Sequence, residues 1–391
     1  MMMALRLALR NLMGAGLRTW LNVIVLSFAF VVIIWHKGLL DAWDNQAIDE
    51  MVKWEIGGGQ YWQKNYDPYD PFTLQDSHGK IPGDLEADAL KGEAAPVLIT
   101  QGTIYPSGRM QSILLKGIPP GQKVLQIPTD SLGKEGDAIP AIIGNSMAEA
   151  SRLSVGNRVN IRWRDKNGAF DATEIIITGI FQTNVPTVDA GQVWIPLERL
   201  QQMMLLPDEA TLIVSNGNHQ APGSFDGWSF RSQDQLMSDL KNLIQTKTIG
   251  GMVLWAILLM LAMLAVFDTQ VLSIFRRQKE IGTYVALGMT RSQVVALFTV
   301  EGAMHSVLAA LLGAVYGIPL LTWQAIQGIT FPVKGDDYGI SMPNTIYPVY
   351  SLGLIIATVL IILITTTVVS YWPSRKIAKM NPTDALRGKI L

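Results

Sequence analysis

Four apolar runs and one long mixed segment set the plan of the chain. The runs are Trp20 to Trp35, Ile249 to Phe267, Val294 to Leu321 and Val349 to Trp372. A helix needs about 20 consecutive apolar residues to cross the hydrocarbon core of a bilayer. The first run is the shortest, and extension into both interfaces brings it to that length. A Trp stands at each of its ends, as in an interfacial aromatic belt. No small-x-small cleavage site follows it, and His36 to Trp43 keeps the helical pattern. It is therefore expected to stay as a span and not to leave as a signal peptide. Pro373 stops the fourth run. Ahead of the first, Arg6, Arg10 and Arg18 are spaced among leucines in a basic amphipathic segment suited to the inner membrane surface.

Between the first and second runs the pattern becomes that of a soluble domain. Trp54 to Pro82, rich in Gly, Pro, Tyr and Asp, is expected to form strands and turns. Pro96 to Gly117 reads as strand, turn at Pro106-Ser107-Gly108, and strand. Ala138 to Gly144 is a short apolar strand and Asn145 to Leu153 a helix. VNIRW, the polar turn Asp165 to Gly168 and EIIITGIF give a β-hairpin signal. GQVWIP, a helix over Leu197 to Leu206, and ATLIVS follow. About 200 residues are enough to bury a core. Leu236 to Thr248 is predicted to be a helical stalk into the second span.

The expected fold class is an α-helical membrane protein with four transmembrane helices plus an α+β extracytoplasmic (periplasmic) domain inserted between helices 1 and 2. The segments are a cytoplasmic amphipathic stretch at 1–18, span and stalk at 19–43, the α+β domain at 44–235, and stalk and second span at 236–275. A cytoplasmic connection at 276–292, the third span at 293–322, an outer loop at 323–348, the fourth span at 349–373 and a cytoplasmic tail at 374–391 complete it.

Charge decides which side is which. Twelve Lys and Arg residues fall in the amphipathic segment, the connection and the tail, against one cation, Lys334, in the short outer loop. The positive-inside rule then places both termini in the cytoplasm and the α+β domain outside. Composition points the same way: of 391 residues 49% are hydrophobic and 16% charged, where soluble proteins carry about 25% charged residues. A net charge of −1 gives no hint of nucleic-acid binding. The absence of Cys removes disulfides, zinc-thiolate sites and thiol catalysis. His36, His78, His219 and His305 show no metal-ligand spacing, so no metal site is proposed. The α+β domain carries no nucleophile motif, which disfavours a membrane-anchored enzyme, and no catalytic residue is assigned.

The stretch FRRQKEIGTYVALGMTR, Phe275 to Arg291, is the most informative. It is basic through Arg276, Arg277, Lys279 and Arg291, yet Ile281, Val285 and Leu287 to Met289 are too apolar for a merely solvated linker. A short amphipathic helix ending at Gly288 and lying flat under the membrane is predicted, suited to docking on a cytoplasmic partner. The third span carries Gly313-Ala-Val-Tyr-Gly317, a GxxxG pattern that lets another helix come close. Asp268 and Glu301 are ionisable groups in spans, where such groups are costly. They are read as interhelical hydrogen-bonding groups, Asp268 being either protonated or close to the membrane interface, and not as a proton relay. No G-x-x-x-x-G-K-[ST] occurs, so the chain holds no nucleotide by a P-loop and energy must come from another polypeptide.

Arg277-Gln-Lys-Glu280-Ile281-Gly282, Ala286-Leu287-Gly288-Met289-Thr290-Arg291 and the tail Asn381-Pro382-Thr383-Asp384-Ala385-Leu386-Arg387 resemble the motifs of FtsX/MacB/LolC-type permeases of ABC transporters. Four spans with a large outer domain between the first two match that plan. Tyr284-Val285 departs from the family's frequent apolar-Arg pair. Ala141 to Glu149, Leu153 to Val159, Ile177 to Phe181 and Trp194 to Leu197 look like the LolC/LolE lipoprotein-release branch, which is preferred within the family.

The resemblance implies a MacB/LolD-type ATPase dimer that holds ATP and Mg beneath two permeases, identical or paralogous; this chain itself binds no cofactor. It implies a coupling helix at Gln278–Arg291, with Glu280 and Arg291 as polar contacts, Ile281 and Leu287 entering an apolar cleft, and Gly282 and Gly288 within the motif. Asn381, Pro382 and Leu386 would make a second cytoplasmic contact. By mechanotransmission, tilting of the long first and second helices would carry ATP-driven motion to the MacB-like outer domain. An acylated lipoprotein would lie between the outer parts of spans one and two, where Val32, Trp35, Leu39, Met252 and Trp255 are candidate contacts; lipid or helix packing is the alternative for each. Gln182 to Gln192 is a candidate contact loop for a periplasmic carrier, with an ordinary surface loop as the alternative. The expected location is the bacterial inner membrane.

Three outputs are compatible with such a permease. Extraction of lipoproteins from the outer leaflet of the inner membrane is preferred. MacB-like tripartite efflux of small molecules or peptides is the second; MacB-like chains usually carry an ATPase fused ahead of the spans, where this sequence has a short basic segment. FtsX-like signalling to cell-wall hydrolases is the third, and FtsX-like outer domains are typically smaller.

Overall fold

A computed structural model describes residues 17–133, 136–217, 225–330 and 345–379. Residues 1–16, the outer-loop residues 331–344, His219, and Asn381, Pro382 and Leu386 of the tail lie outside the described residues. The chain divides into two compact units. One comprises Met1–Trp43, Ile244–Ile329 and Thr345–Leu391, the other Asp44–Leu243 with Thr330–Asn344.

The first helix, α1, covers Leu17–Met51 and runs into a π-helical turn, Val52–Ile56. It passes the end of the stalk expected at residue 43. The residues after Trp43 lose the apolar run but keep a helical stripe, with Asp44 and Ala47 buried and Met51 packed one turn on.

The α+β unit holds strands β1 (Gly59–Gln63), β2 (Ala94–Ile104), β3 (Gln111–Ile118), β4 (Ile139–Gly144), β5 (Arg158–Arg164), β6 (Phe170–Phe181), β7 (Gln192–Pro196), β8 (Leu212–Ser215) and β9 (Trp228–Ser232). They form one sheet in the order β9-β1-β8-β2-β3-β7-β4-β6-β5. β2 also pairs with β5, Gly102 opposite Trp163, so the last six strands of that order close into a ring. β2 is the shared strand: Ala94 to Val97 pair with β8, while Leu98 to Ile104 pair with β3.

Alternation decides what fills the ring. Val159, Ile161 and Trp163 of β5 point inward with Ile113 and Leu115 of β3 and Ile175 and Ile177 of β6. Of the helices α2 (Gly83–Lys91), α3 (Asn145–Ser151) and α4 (Leu197–Met204), α3 adds Met147 to this core and α4 adds Leu200 and Met204. The opposite faces of the strands bury Val97, Ile99, Ile118, Ile142 and Trp194 beneath Leu125, Ile127 and Leu132. The strands of this ring and the helices α3 and α4 fall where alternation and period place them in the sequence, whereas Pro186–Asp189, within the stretch read as a loop, forms a short helix.

Four further helices are α5 (Ser238–Arg276), α6 (Gln278–Ala286), α7 (Arg291–Gln327) and α8 (Leu352–Ser374). With α1, the helices α5, α7 and α8 are long and apolar enough to cross a membrane. Over its most apolar stretch α7 is 56% buried within the chain, against 17% for α5 and α8, so α7 is the central span and the other two present most of their surface outward. Val23, Leu26, Phe30 and Ile33 of α1 pack with Ala262, Met263 and Val266 of α5, Ala309 of α7 and Ile362 of α8. The GxxxG step lies against α1. A Cβ at Gly313 would stand 3.3 Å from the Ser27 carbonyl oxygen, and one at Gly317 would stand 2.7 Å from Val31 Cγ2. Close approach of the two backbones is what these glycines allow.

Candidate functional site

The connection between α5 and α7 is built by local rules. α5 ends at Arg276 and α6 begins at Gln278, so Arg277 alone makes the corner. Its N–H donates to the Ser273 carbonyl (3.1 Å), and its own carbonyl accepts from Ile281 N (3.0 Å). α6 closes in a Schellman arrangement: Met289 N donates to the Tyr284 carbonyl (3.0 Å) and Gly288 N to the Val285 carbonyl (3.1 Å). Gly288 has φ +98°, a conformation that favours glycine. The accompanying apolar contact is present, since Met289 and Tyr284 pack on one cluster. Thr290 then caps α7. Its Oγ1 accepts from Gln293 N (3.3 Å), and Gln293 Oε1 accepts from Thr290 N (2.9 Å), a reciprocal capping box.

The two faces of α6 separate the motif residues. Ile281 is 2% exposed and packs with Ile274, Val294, Val295, Phe298 and Ile377; Gly282 is buried beside it. Lys279, Glu280, Thr283, Gly288 and Arg291 are exposed, and Leu287 is 79% exposed. This corrects the expectation for Ile281. A side chain already enclosed by its own chain anchors the helix and is not free to enter a partner's cleft, whereas Leu287 is.

Arg277 organises the charges. Its Nη1 donates to both carboxylate oxygens of Glu301 (2.8 and 2.9 Å) and its Nε to Glu280 Oε2 (2.7 Å). The guanidinium also stands 4.9 Å from the centroid of the Phe298 ring. Glu301 is therefore one half of an ion pair reaching in from the connection, a partnership spanning 24 residues that sequence reasoning did not find. His305 Nδ1 lies 3.0 Å from the Glu301 carbonyl oxygen, one turn along α7. Asp268 does not take the interhelical hydrogen bond expected of it. It is exposed on α5 and among the described residues has no hydrogen-bond partner; its neighbour Thr269 takes the interhelical bond, accepting from Asn22 Nδ2 of α1 at 2.5 Å.

The five apolar candidates on α1 and α5 do not converge in a single chain. Trp35 packs against Val31, Ile34 and Leu321, with Tyr350 and Leu354 beside it, while Trp255 packs on the separate cluster around Phe30 and Val266. Val32 and Leu39 are half-buried, and Met252 is 60% exposed. Gln182 to Gln192 is no free loop. Val185 and Val188 are buried, Trp54 stacks on Phe181 at 5.5 Å, and Thr187 Oγ1 donates to Glu55 Oε2 (2.7 Å).

An open cleft of about 800 Å³ lies where β2 leaves β8 and joins β5. Leu74, Ile113 and Trp163 form its buried floor; Phe72, Met110 and Phe170 stand exposed around it. Among the described residues its only charged lining groups are Arg162 and Arg164, with Arg162 lying 4.2 Å over the Phe170 ring.

Residues 252–382 match the FtsX-like permease C-terminal family. The chain is 22% identical over 329 residues to the lipoprotein-releasing system transmembrane protein LolC of Xylella fastidiosa, covering 75% of this chain and 77% of that protein. It is 28% identical over 167 residues to the macrolide export ATP-binding/permease protein MacB of Wolinella succinogenes, covering 43% of this chain and 23% of MacB. An uncharacterized ABC transporter permease of Methanocaldococcus jannaschii is 27% identical over 164 residues, and the match spans 42% of this chain and 39% of that protein. The match to the family covers α6 and reaches from α5 to the tail motif, so the corner built around Arg277 lies inside it. Residues 252–382 are thus an FtsX-like permease domain, in a chain that is similar to LolC, MacB and other ABC transporter permeases and has four helices of membrane-spanning length with an α+β region between the first and second.

Proposed function

We propose that this chain is the permease subunit of an ATP-driven mechanotransmission transporter that extracts lipoproteins from the outer leaflet of the bacterial inner membrane. The observation that carries this reading is the reach of the LolC similarity. At 329 aligned residues it extends well beyond 252–382 and into the α+β unit, whereas the MacB similarity stops at 167. In this reading a separate LolD/MacB-type ATPase dimer binds ATP and Mg and docks on the exposed face of α6, through Leu287, Glu280 and Arg291. Gly282 and Gly288 shape that element, and Asn381, Pro382 and Leu386 add a second contact. A second permease, identical or paralogous, faces the first. The acylated cargo sits against Val32, Trp35, Leu39, Met252 and Trp255, and both termini are cytoplasmic with the α+β unit in the periplasm. A periplasmic carrier meets the cleft of Phe72, Met110 and Phe170, whose exposed apolar side chains mark an interaction surface.

The test is photo-cross-linking from Val32 and Trp35 in the purified complex with its co-expressed ATPase, read by mass spectrometry. Acylated lipoproteins captured at both sites and lost on adding ATP support extraction. A stable ATPase complex that captures no acylated molecule and instead retains a soluble hydrolase refutes extraction in favour of signalling. Capture of small molecules or peptides without acyl chains favours efflux, the second reading, for which the higher identity to MacB, 28% over 167 residues, speaks.

A further inference from the structure

We propose that Arg277 is a positioning residue that makes α7 move together with α6, through its ion pair with Glu301. The inference rests on the reading of α6 as the element that meets the ATPase. A one-residue corner between α5 and α6 flexes unless something braces it. One brace is the packing of Ile281 on Val294, Val295 and Phe298, which is apolar and without directional preference. The other is directional. The Arg277 guanidinium grips Glu280 in the first turn of α6 and, with a different nitrogen, both oxygens of Glu301 nearly three turns into α7.

Exposure separates the two contacts. Glu280 is 55% exposed and its pair with Arg277 contributes little by itself. The Glu301 side chain is 7% exposed and that of Arg277 18%, so their pair is shielded from water and cannot be exchanged cheaply for solvent. A push on the exposed face of α6 therefore reaches Glu301 before it can be dissipated at the corner. Glu301 belongs to the most buried span, which packs on α1, α5 and α8. One side chain thus links the outward face of α6 to the centre of the bundle.

The experiment uses the full chain with its co-expressed ATPase in lipid nanodiscs, comparing Arg277→Gln, Glu301→Gln, the double variant and Arg277→Lys. Thermal stability and ATPase co-purification report structure; ATP-dependent hydrogen exchange in α7 reports transmission. Each Gln single variant loses stability: Arg277→Gln leaves the buried Glu301 carboxylate without its partner, and Glu301→Gln leaves Arg277 with only the exposed Glu280. The double variant regains stability and ATPase binding, yet its ATP-dependent exchange in α7 falls about fivefold, since neutral amides replace a forked charged contact. Arg277→Lys keeps the charge and the fold but shows a reduced response. A double variant or Arg277→Lys chain that is stable and responds as the wild type overturns the proposal, as does a wild-type complex with no ATP-dependent exchange in α7. Extraction is read separately: a wild type that shows the α7 response but releases no acylated cargo defeats that function and leaves the positioning role standing.

Discussion

Gly317 of α7 faces Val31 of α1 at a distance that leaves no room for a methyl group, since a Cβ there would lie 2.7 Å from Val31 Cγ2. Carbon atoms pack best at about 3.5–4.0 Å. Gly317→Ala must therefore part the helices or force Val31 from its rotamer, and is expected to destabilise the chain by about 1–3 kcal/mol. Thermal melting in detergent measures it, and adding Val31→Ala should recover most of the loss. A Gly317→Ala chain that melts with the wild type would show that the crossing is loose.

Leu287 and Ile281 should behave as opposites although both belong to the same short motif. Leu287→Ala removes an exposed side chain and leaves stability within about 0.5 kcal/mol, while binding of the ATPase weakens by about tenfold or more, as for an apolar anchor at an interface. Ile281→Ala empties a site that is enclosed by the chain itself and costs about 2–5 kcal/mol of stability. Co-purification with the ATPase, set beside melting temperature, separates the two effects. Equal loss of stability in both variants would contradict the orientation of α6.

These two residues also mark how far the sequence could be read. The turn at Gly288, the cap at Thr290 and the strands of the α+β unit follow from local chemistry, and the small-residue step at Gly313 and Gly317 announced a close crossing. The partner helix of that crossing could not be read, because small residues do not name what they face. Ile281 lies within a nine-residue helix and Leu287 caps its C-terminal end; both are apolar, and periodicity does not distinguish a face buried on its own chain from one kept for a partner. The pairing of Arg277 with Glu301 depends on how α7 folds back beside the corner, which no local pattern encodes. α1 outran its expected end because its last turns swap apolar residues for a thinner helical stripe.

Lys116 of β3 is buried with its Nζ 4.9 Å from the centroid of the Trp194 ring. Burial pulls its pKa below the ordinary lysine value of 10.5, and the Glu55 carboxylate offsets part of that. The unfolded chain then binds more protons than the folded one between the lowered value and 10.5, so stability rises with pH across that window. Lys116→Met keeps the aliphatic stem and removes the buried charge. It is expected to stabilise the fold by about 1 kcal/mol at neutral pH, with the advantage shrinking as pH climbs towards the ordinary lysine range. Melting curves of both chains across alkaline pH test this; a constant difference at every pH would rule it out.

Phe72 is 91% exposed and Met110 73%, both at the edge of the cleft in the α+β unit. Neither supports the core, so Phe72→Ser and Met110→Ser should leave melting unchanged. If a carrier seats there, each should lower its affinity by about tenfold, the range for an apolar contact at an interface. Binding of the purified carrier to the membrane-embedded permease measures this, and unchanged affinity in the paired variant would move the docking surface elsewhere.

The double duty of β2 has a consequence for how the α+β unit comes apart. Side chains alternate along a strand, so a slip of one residue would turn Leu98 and Ile104 out of the ring core and at the same moment drive Val97 and Ile99 out of the opposite cluster. The pairing of Ala94 to Val97 with β8 and of Leu98 to Ile104 with β3 is therefore settled in a single step. Neither lobe can melt while the other keeps its register, and the slowest-exchanging amides of both should open with one common free energy.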